Sequence, residues 1–229
     1  MTRTGEAARP TVEDHTESFI DWSRDHAREL SFGALAIVTI AAAAWLYGYS
    51  SRRNMVRAEL MLNQAETSLS AQRLPEAETT LQRLVQNYEG TPAAGQGLLR
   101  LAQVLFEQGK YAEGVTQLER SFGEYEEGPF AAAVRQLAAA GYDQLGQPAK
   151  AAERYAEAAG KTELEGEQDQ LRARAARAWA AAGNKEEAIR LWKAIAEKPS
   201  AAMANEARIR LGELTAAPAG TMPAAAGPG

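Results

Sequence analysis

The chain has 229 residues and a formal net charge of −5, contains no cysteine, and favours alanine among its apolar residues. The missing thiols exclude disulfides, thiolate metal sites and cysteine nucleophiles, and the acidic balance argues against nucleic acid, whose phosphates need a cationic surface. Alanine loses no side-chain entropy in a helix, so its abundance beside few β-branched residues predicts an all-α chain with closely spaced helices.

Residues 1–12 are short, polar and interrupted by Gly5 and Pro10, which predicts a disordered head. From Glu13 to Glu29 the chain is highly charged, with Phe19, Ile20 and Trp22 as the apolar minority. That segment reads either as an amphipathic juxtamembrane helix at a lipid interface or as a solvated extension of the helix that follows. Ser31 to Tyr49 then carries no charged residue over 19 positions, bracketed by Arg28 and Glu29 on one side and Arg52 and Arg53 on the other. At ~1.5 Å per residue this is about 28 Å of helix, close to the ~30 Å hydrocarbon core of a bilayer. Trp45, Tyr47 and Tyr49 cluster where an aromatic belt meets the headgroups. A buried core helix would alternate with a polar face, which this stretch lacks. A secretory signal would follow a short basic leader rather than thirty mostly acidic residues, although Ala42-Ala43-Ala44 resembles a cleavage site. The segment 13–53 therefore reads as juxtamembrane plus a retained single transmembrane span. Arg24 and Arg28 flank one end and Arg52, Arg53 and Arg57 the other. That count leans slightly toward a cytoplasmic C-terminal domain, but long domains translocate largely regardless of charge.

Residues 54–214 carry an internal repeat. Ala65, Ala102, Ala139 and Ala176 stand 37 residues apart, as do Ala77, Gly114, Ala151 and Ala188, and Leu81, Leu118, Tyr155 and Trp192. Three columns keeping one period predict a solenoid of paired helices. Gly109, Gly146 and Gly183 end the first helix of each unit, where a left-handed residue without a side chain costs least. The small columns let the two antiparallel helices approach closely, and the bulky column fills the space against the next unit. Pro92 and Pro129, also 37 apart, are expected to open new helices at the hand-over between units. The reading is four helix pairs (about 55–91, 92–128, 129–165 and 166–199) with a capping helix at 200–214. Residues 215–229, rich in Pro, Ala and Gly, read as a disordered tail.

The pattern resembles the tetratricopeptide repeat (TPR). Leu98, Leu101, Ala102, Leu105, Gly109, Tyr111, Gly114 and Leu118 occupy its signature positions, followed by Ala139, Tyr142, Gly146, Ala151, Tyr155 and Ala158 and then Ala176, Trp179, Gly183, Ala188 and Trp192. The first unit is degenerate, with Gln72 in the glycine position and Pro75 opening its second helix. A long repeat behind one N-terminal span and a short acidic head is similar to the YfgM family of ancillary Sec translocon subunits. That resemblance implies a bacterial inner-membrane protein with a cytoplasmic head and a periplasmic solenoid. It also implies protein partners, namely the Sec translocon and a membrane-anchored periplasmic chaperone, and one helix running unbroken from Asp21 through Ala65. A structural subunit of another membrane assembly, in cell division, outer-membrane biogenesis or energy transduction, fits the same layout, since an alanine-rich span packs closely against partner helices. A cleaved periplasmic enzyme accessory is a further alternative.

No catalytic, cofactor-binding or metal site is expected. His15 and His26 stand alone ahead of the span, Gln108-Gly109-Lys110 lacks the upstream glycine of a phosphate loop, and Glu124, Glu126 and Glu127 read as a solvated face. Non-enzymatic protein binding is expected instead, with no small-molecule substrate, on the concave surface lined by the first helix of each unit. The repeat register puts Leu62, Glu66, Leu69, Leu99, Gln103, Phe106, Gln136, Asp143 and Arg177 on that surface. Leu62, Leu69, Leu99 and Phe106 would supply apolar contacts to an extended or helical peptide, unless Leu99 and Phe106 pack on a neighbouring helix. The lysine and asparagine pattern with which some cytosolic relatives clamp a C-terminal carboxylate is absent. The register makes a direct prediction: Ala151→Leu overpacks the third helix pair and costs roughly 1–3 kcal/mol, read as a lowered melting temperature.

Overall fold

The computed structural model describes residues 27–198 and 202–216; within it, the side chains of residues 27–31 and 33–37 lie outside the description. The expected disordered head, most of the juxtamembrane segment with His15 and His26, and all of the tail beyond residue 216 fall outside the described residues. Nine helices and no strand are described: α1 (Ala27–Ser70), α2 (Leu74–Asn87), α3 (Pro92–Glu107), α4 (Tyr111–Arg120), α5 (Ala131–Gln144), α6 (Pro148–Ala159), α7 (Glu165–Ala181), α8 (Lys185–Ala196) and α9 (Ala204–Thr215). The chain divides into two compact units at Asn54/Met55.

In the first unit, the described part of α1 exposes its large apolar side chains. Val38, Ile40, Trp45, Leu46, Tyr47 and Tyr49 are all more than half exposed. Trp45 stacks on Tyr49 with ring centroids 5.7 Å apart, and the Arg53 guanidinium lies 5.6 Å from the Tyr49 ring centre. No helix among the described residues is long and apolar enough to cross a membrane. The span expected over 31–49 lies partly outside them, because the side chains of Ser31 and residues 33–37 are not described.

In the second unit, helices stack in sequence order from α2 to α9, each packing on the next. The first helices α3 and α5 also touch across the unit boundary. The repeat columns account for this packing. Ala65, Ala102, Ala139 and Ala176 are fully buried, as are Ala77, Ala151 and Ala188, with Gly114 buried in the same column. Leu81, Leu118, Tyr155 and Trp192 are at most 5% exposed and fill three continuous apolar clusters. Each such side chain contributes roughly 1.5–3 kcal/mol on leaving water, and none could be buried by its own helix pair alone.

Each first helix ends in the same hydrogen-bonded lock. Backbone N–H groups of Arg73, Lys110, Gln147 and Asn184 donate to the carbonyls of Ser68, Leu105, Tyr142 and Trp179 over 2.8–2.9 Å. The residue ahead of each donor is left-handed: Gly109 at φ 75°, Gly146 at 67°, Gly183 at 82°, and in the degenerate first unit Gln72 at 57°. This is the hydrogen bond that satisfies orphan carbonyls at a helix end when the next residue turns left-handed. Second helices α2 and α6 start with Pro75 and Pro148 in their first turn and α8 with the Asn184 side chain accepting from the Glu187 N–H at 3.2 Å, while α4 has neither device. At the hand-over, Pro92 opens α3 behind a Thr91 cap, whose hydroxyl accepts from the Ala94 N–H at 3.2 Å. Pro129 departs from expectation: α5 begins only at Ala131, because α4 stops at Arg120 and residues 121–130 form a loop.

A side chain in the left-handed region costs roughly 1–2 kcal/mol that glycine escapes, less the extra unfolded-state freedom of glycine. Gln72→Gly should therefore raise stability by about 0.5–1 kcal/mol, measured by chemical denaturation, whereas Gly146→Ala should lower it.

Candidate functional site

The face built by the first helices α1, α3, α5 and α7 carries all nine positions singled out in the sequence. Leu62, Glu66, Leu69, Leu99, Phe106 and Gln136 are partly buried there, and Gln103, Asp143 and Arg177 are exposed. The apolar members face inward. Leu62 and Leu69 pack on the cluster formed by Ala58, Ala65, Leu81 and Leu84, and Leu99 packs on the cluster around Leu98 and Val134.

Phe106 goes furthest, because two glycines admit it. A side-chain carbon on Gly114 would stand 2.5 Å from its ring, and one on Gly141 would stand 2.6 Å from the ring tip and would also collide with Val115. Its ring lies 5.6 Å from that of Tyr111. Phe106 thus joins α3 to α4 and α5 as a packing element. Leu99 and Phe106 both pack on neighbouring helices, the alternative role open to them from the sequence.

What the groove offers outward is polar. Near its first end, Arg100 Nε donates to Glu66 Oε1 at 2.8 Å across the unit boundary, and its Nη1 donates to Gln103 Oε1 at 3.2 Å. Further along, Asp143, Tyr155, Arg174, Arg177, Ala178 and Ala181 line a cleft of about 380 Å³. The Tyr155 hydroxyl donates to Asp143 Oδ2 at 3.0 Å. Burial, and then the Asp143 charge, push the Tyr155 phenol up to about 12, so it stays a neutral donor throughout the physiological range. Arg174 lies over the Tyr155 ring at 5.9 Å, and Arg177 lies over Trp192 at 5.6 Å while donating through Nε and Nη2 to Glu206 of the capping helix. Small residues at 178 and 181 leave this cleft open, and arginines laid on aromatic faces hold its rim in place.

The loop 121–130 is the feature the sequence concealed. Arg135 is 4% exposed and donates to the Tyr125 and Ala131 carbonyls at 2.8 and 3.0 Å and to Glu126 at 2.7 Å. Phe122 is flanked by the guanidiniums of Arg135 and Arg154 at 5.0 and 5.2 Å. Lys161 reaches back to Glu126 and Glu127, and Glu124 accepts from the Gly90 N–H at 2.6 Å. Glu126 and Glu127 are solvent-exposed, as the sequence suggests, and all three glutamates also bond to neighbouring units. The Lys161 hydrogen bond and charge hold the exposed Glu126 carboxyl below its ordinary range. At Glu78, partial burial pushes the carboxyl upward, but hydrogen bonds from Gln108 and Lys110 outweigh it and leave the group lowered. Among the described residues, no group of three or more His, Asp or Glu side chains could hold a metal ion.

Sequential helix pairs with a polar inner face define a repeat scaffold of the kind that binds other proteins. The family model described as a tetratricopeptide repeat-like domain matches residues 34–174, more than half of the chain, and the chain belongs to that family. Crystal structures of similar fold include a TPR protein from Parabacteroides merdae, at TM-score 0.54 and 16% identity over 69% of this chain and 59% of that one. Another is a set of nearly identical TPR-like repeats of a kinesin-light-chain-like protein from Podospora anserina, at TM-score 0.51 and 19% identity over 69% of this chain and 85% of that one. At these identities the likeness is one of fold. A comparison with curated proteins gives no match.

Phe106→Ala should cost about 3 kcal/mol in denaturant unfolding. Gly114→Ala should also destabilise, and its double variant with Phe106→Ala should lose less than the sum, because removing the ring vacates the space the new methyl needs. An unchanged stability for Phe106→Ala would return that residue to the groove surface.

Proposed function

We propose that this chain is a non-enzymatic, membrane-anchored protein-interaction module of the bacterial cell envelope, serving as an accessory subunit of a membrane complex associated with protein export or with a chaperone. The single observation carrying the interaction role is the open polar cleft on the first-helix face, within a fold whose family typically mediates protein–protein contacts. The anchor rests on the charge-free stretch from Ser31 to Tyr49. Large exposed apolar side chains from Val38 to Tyr49 support it, since such a surface is unfavourable in water and favourable in lipid. In this reading the span sits in the inner membrane and the solenoid faces the periplasm. Its partners are the Sec translocon and a membrane-anchored periplasmic chaperone, by resemblance to the YfgM layout.

The alternative is a structural subunit of another membrane assembly. The exposed run Ala41–Ala44 favours it, because small residues permit close helix–helix approach in a bilayer.

Two measurements test the reading. The full chain should remain in the membrane pellet after alkaline carbonate extraction; release into the supernatant refutes the anchor. Photoreactive residues at Gln103 or Gln136 in intact membranes should yield adducts containing a translocon component or a membrane-anchored chaperone. Adducts confined to a different membrane complex would replace the export reading with the alternative, and the absence of any adduct would refute the interaction role.

A further inference from the structure

The repeat register sets two arginines on the same helical face in different surroundings. Arg100 in unit 2 and Arg174 in unit 4 stand 74 residues apart, two full periods. Opposite Arg100, the preceding unit supplies Glu66, whose carboxylate accepts from Arg100 Nε at 2.8 Å. Two periods on from Glu66 stands Ala140. The register position that carries Glu66 therefore offers Arg174 no carboxylate; the preceding unit's Asp143 lines the same cleft but is bonded to the Tyr155 hydroxyl, and Arg174 makes no ion pair among the described residues. Its guanidinium rests over the Tyr155 ring at 5.9 Å and faces the cleft of about 380 Å³.

The other charged groups around the cleft are largely engaged. Asp143 accepts from the Tyr155 hydroxyl, and Arg177 is held by Glu206, which also lies 3.9 Å from Arg210. Arg210 in turn pairs with Glu213. Arg174 neighbours the Tyr155 hydroxyl and is the cleft's cationic group without an ion pair among the described residues. A guanidinium resting on an aromatic face has lost part of its rotamer freedom, which lowers the ordering cost of a carboxylate that comes to it.

We infer that Arg174 is a recognition site for an acidic side chain, Asp or Glu, of the protein partner, which takes the place that Glu66 takes at Arg100. The site rests on the groove reading of the preceding section and adds the chemistry that the groove selects. Asp143 Oδ1, which accepts no hydrogen bond among the described residues, is placed to receive a donor from the same partner segment, so the cleft favours an acidic residue flanked by a free N–H.

The test follows the backbone amide resonances of Ala178 and Ala181, which line the cleft in every variant, in the full chain in detergent micelles by nuclear magnetic resonance. Three alanine-based peptides are added: one with a central glutamate and an amidated C-terminus, one with no acidic residue and a free C-terminal carboxylate, and one neutral and amidated. The expected result is a saturable shift with the glutamate peptide, absent with the neutral one. Affinity should fall at least tenfold in Arg174→Gln, and equally in Ala140→Glu, which rebuilds the internal pair while keeping the arginine. Both positions are at least partly exposed, and an unchanged circular dichroism spectrum verifies folding. The inference is overturned by a response limited to the C-terminal carboxylate, by equal affinity in Arg174→Gln, or by no saturable shift. Groove adducts from Gln103 or Gln136 that persist unchanged in Arg174→Gln would also overturn it while leaving the interaction role standing, so the two failures are distinguishable.

Discussion

The rest of the structure depends on how closely two helices approach at four alanines. Ala65, Ala102, Ala139 and Ala176 are each fully buried where the first helix of a unit meets its neighbours. A side chain one carbon larger at any of them would hold the helices apart and strand the apolar surface behind it, since interiors are packed too densely to absorb extra volume. From this approach follow the burial of the bulky column ending at Trp192, the sequential stacking, and the exposure of the opposite helix face as a groove. The left-handed lock at the end of each first helix fixes the angle at which the chain returns. The degenerate first unit keeps that lock even with glutamine at the critical position.

The fold was largely legible in the sequence, because the stacking constraint acts on residue size at a fixed spacing and leaves columns. Helix ends were legible where glycine or proline marks them, as at Gly109, Gly146, Pro75 and Pro92. Pro129 misled because the ten residues after Arg120 form a loop held by groups distant in sequence. Arg135, Arg154 and Lys161 reach Glu126, Glu119 and Glu127 over separations of 9–35 residues, and no local pattern announces such pairs. A charge run in sequence has the same composition whether it is only solvated or also bridges two units, as exposed Glu126 and Glu127 do.

The groove was half legible. The register identified the face, but it could not tell which apolar residues turn inward. Phe106 turns inward because Gly114 and Gly141, on two other helices, leave room for its ring, a three-body condition invisible in any one helix. Leu62 and Leu69 turn to the cluster that includes Ala58, Ala65, Leu81 and Leu84. What remains for a partner is a row of polar groups, in which one arginine is neutralised by the unit before it and its counterpart two units later is not. On the reading proposed above, partner choice rests on departures from the repeat, whereas stability rests on adherence to it.

The most direct measurement of the close-approach constraint compares the same substitution at two adjacent positions. Ala139 is fully buried and Ala140, its neighbour, is partly exposed on the groove. In equilibrium unfolding of the full chain, Ala139→Leu should cost about 1–3 kcal/mol and Ala140→Leu no more than about 0.5 kcal/mol. Equal losses at the two positions, or a larger loss at Ala140, would contradict the proposed register and with it the account of how the units stack.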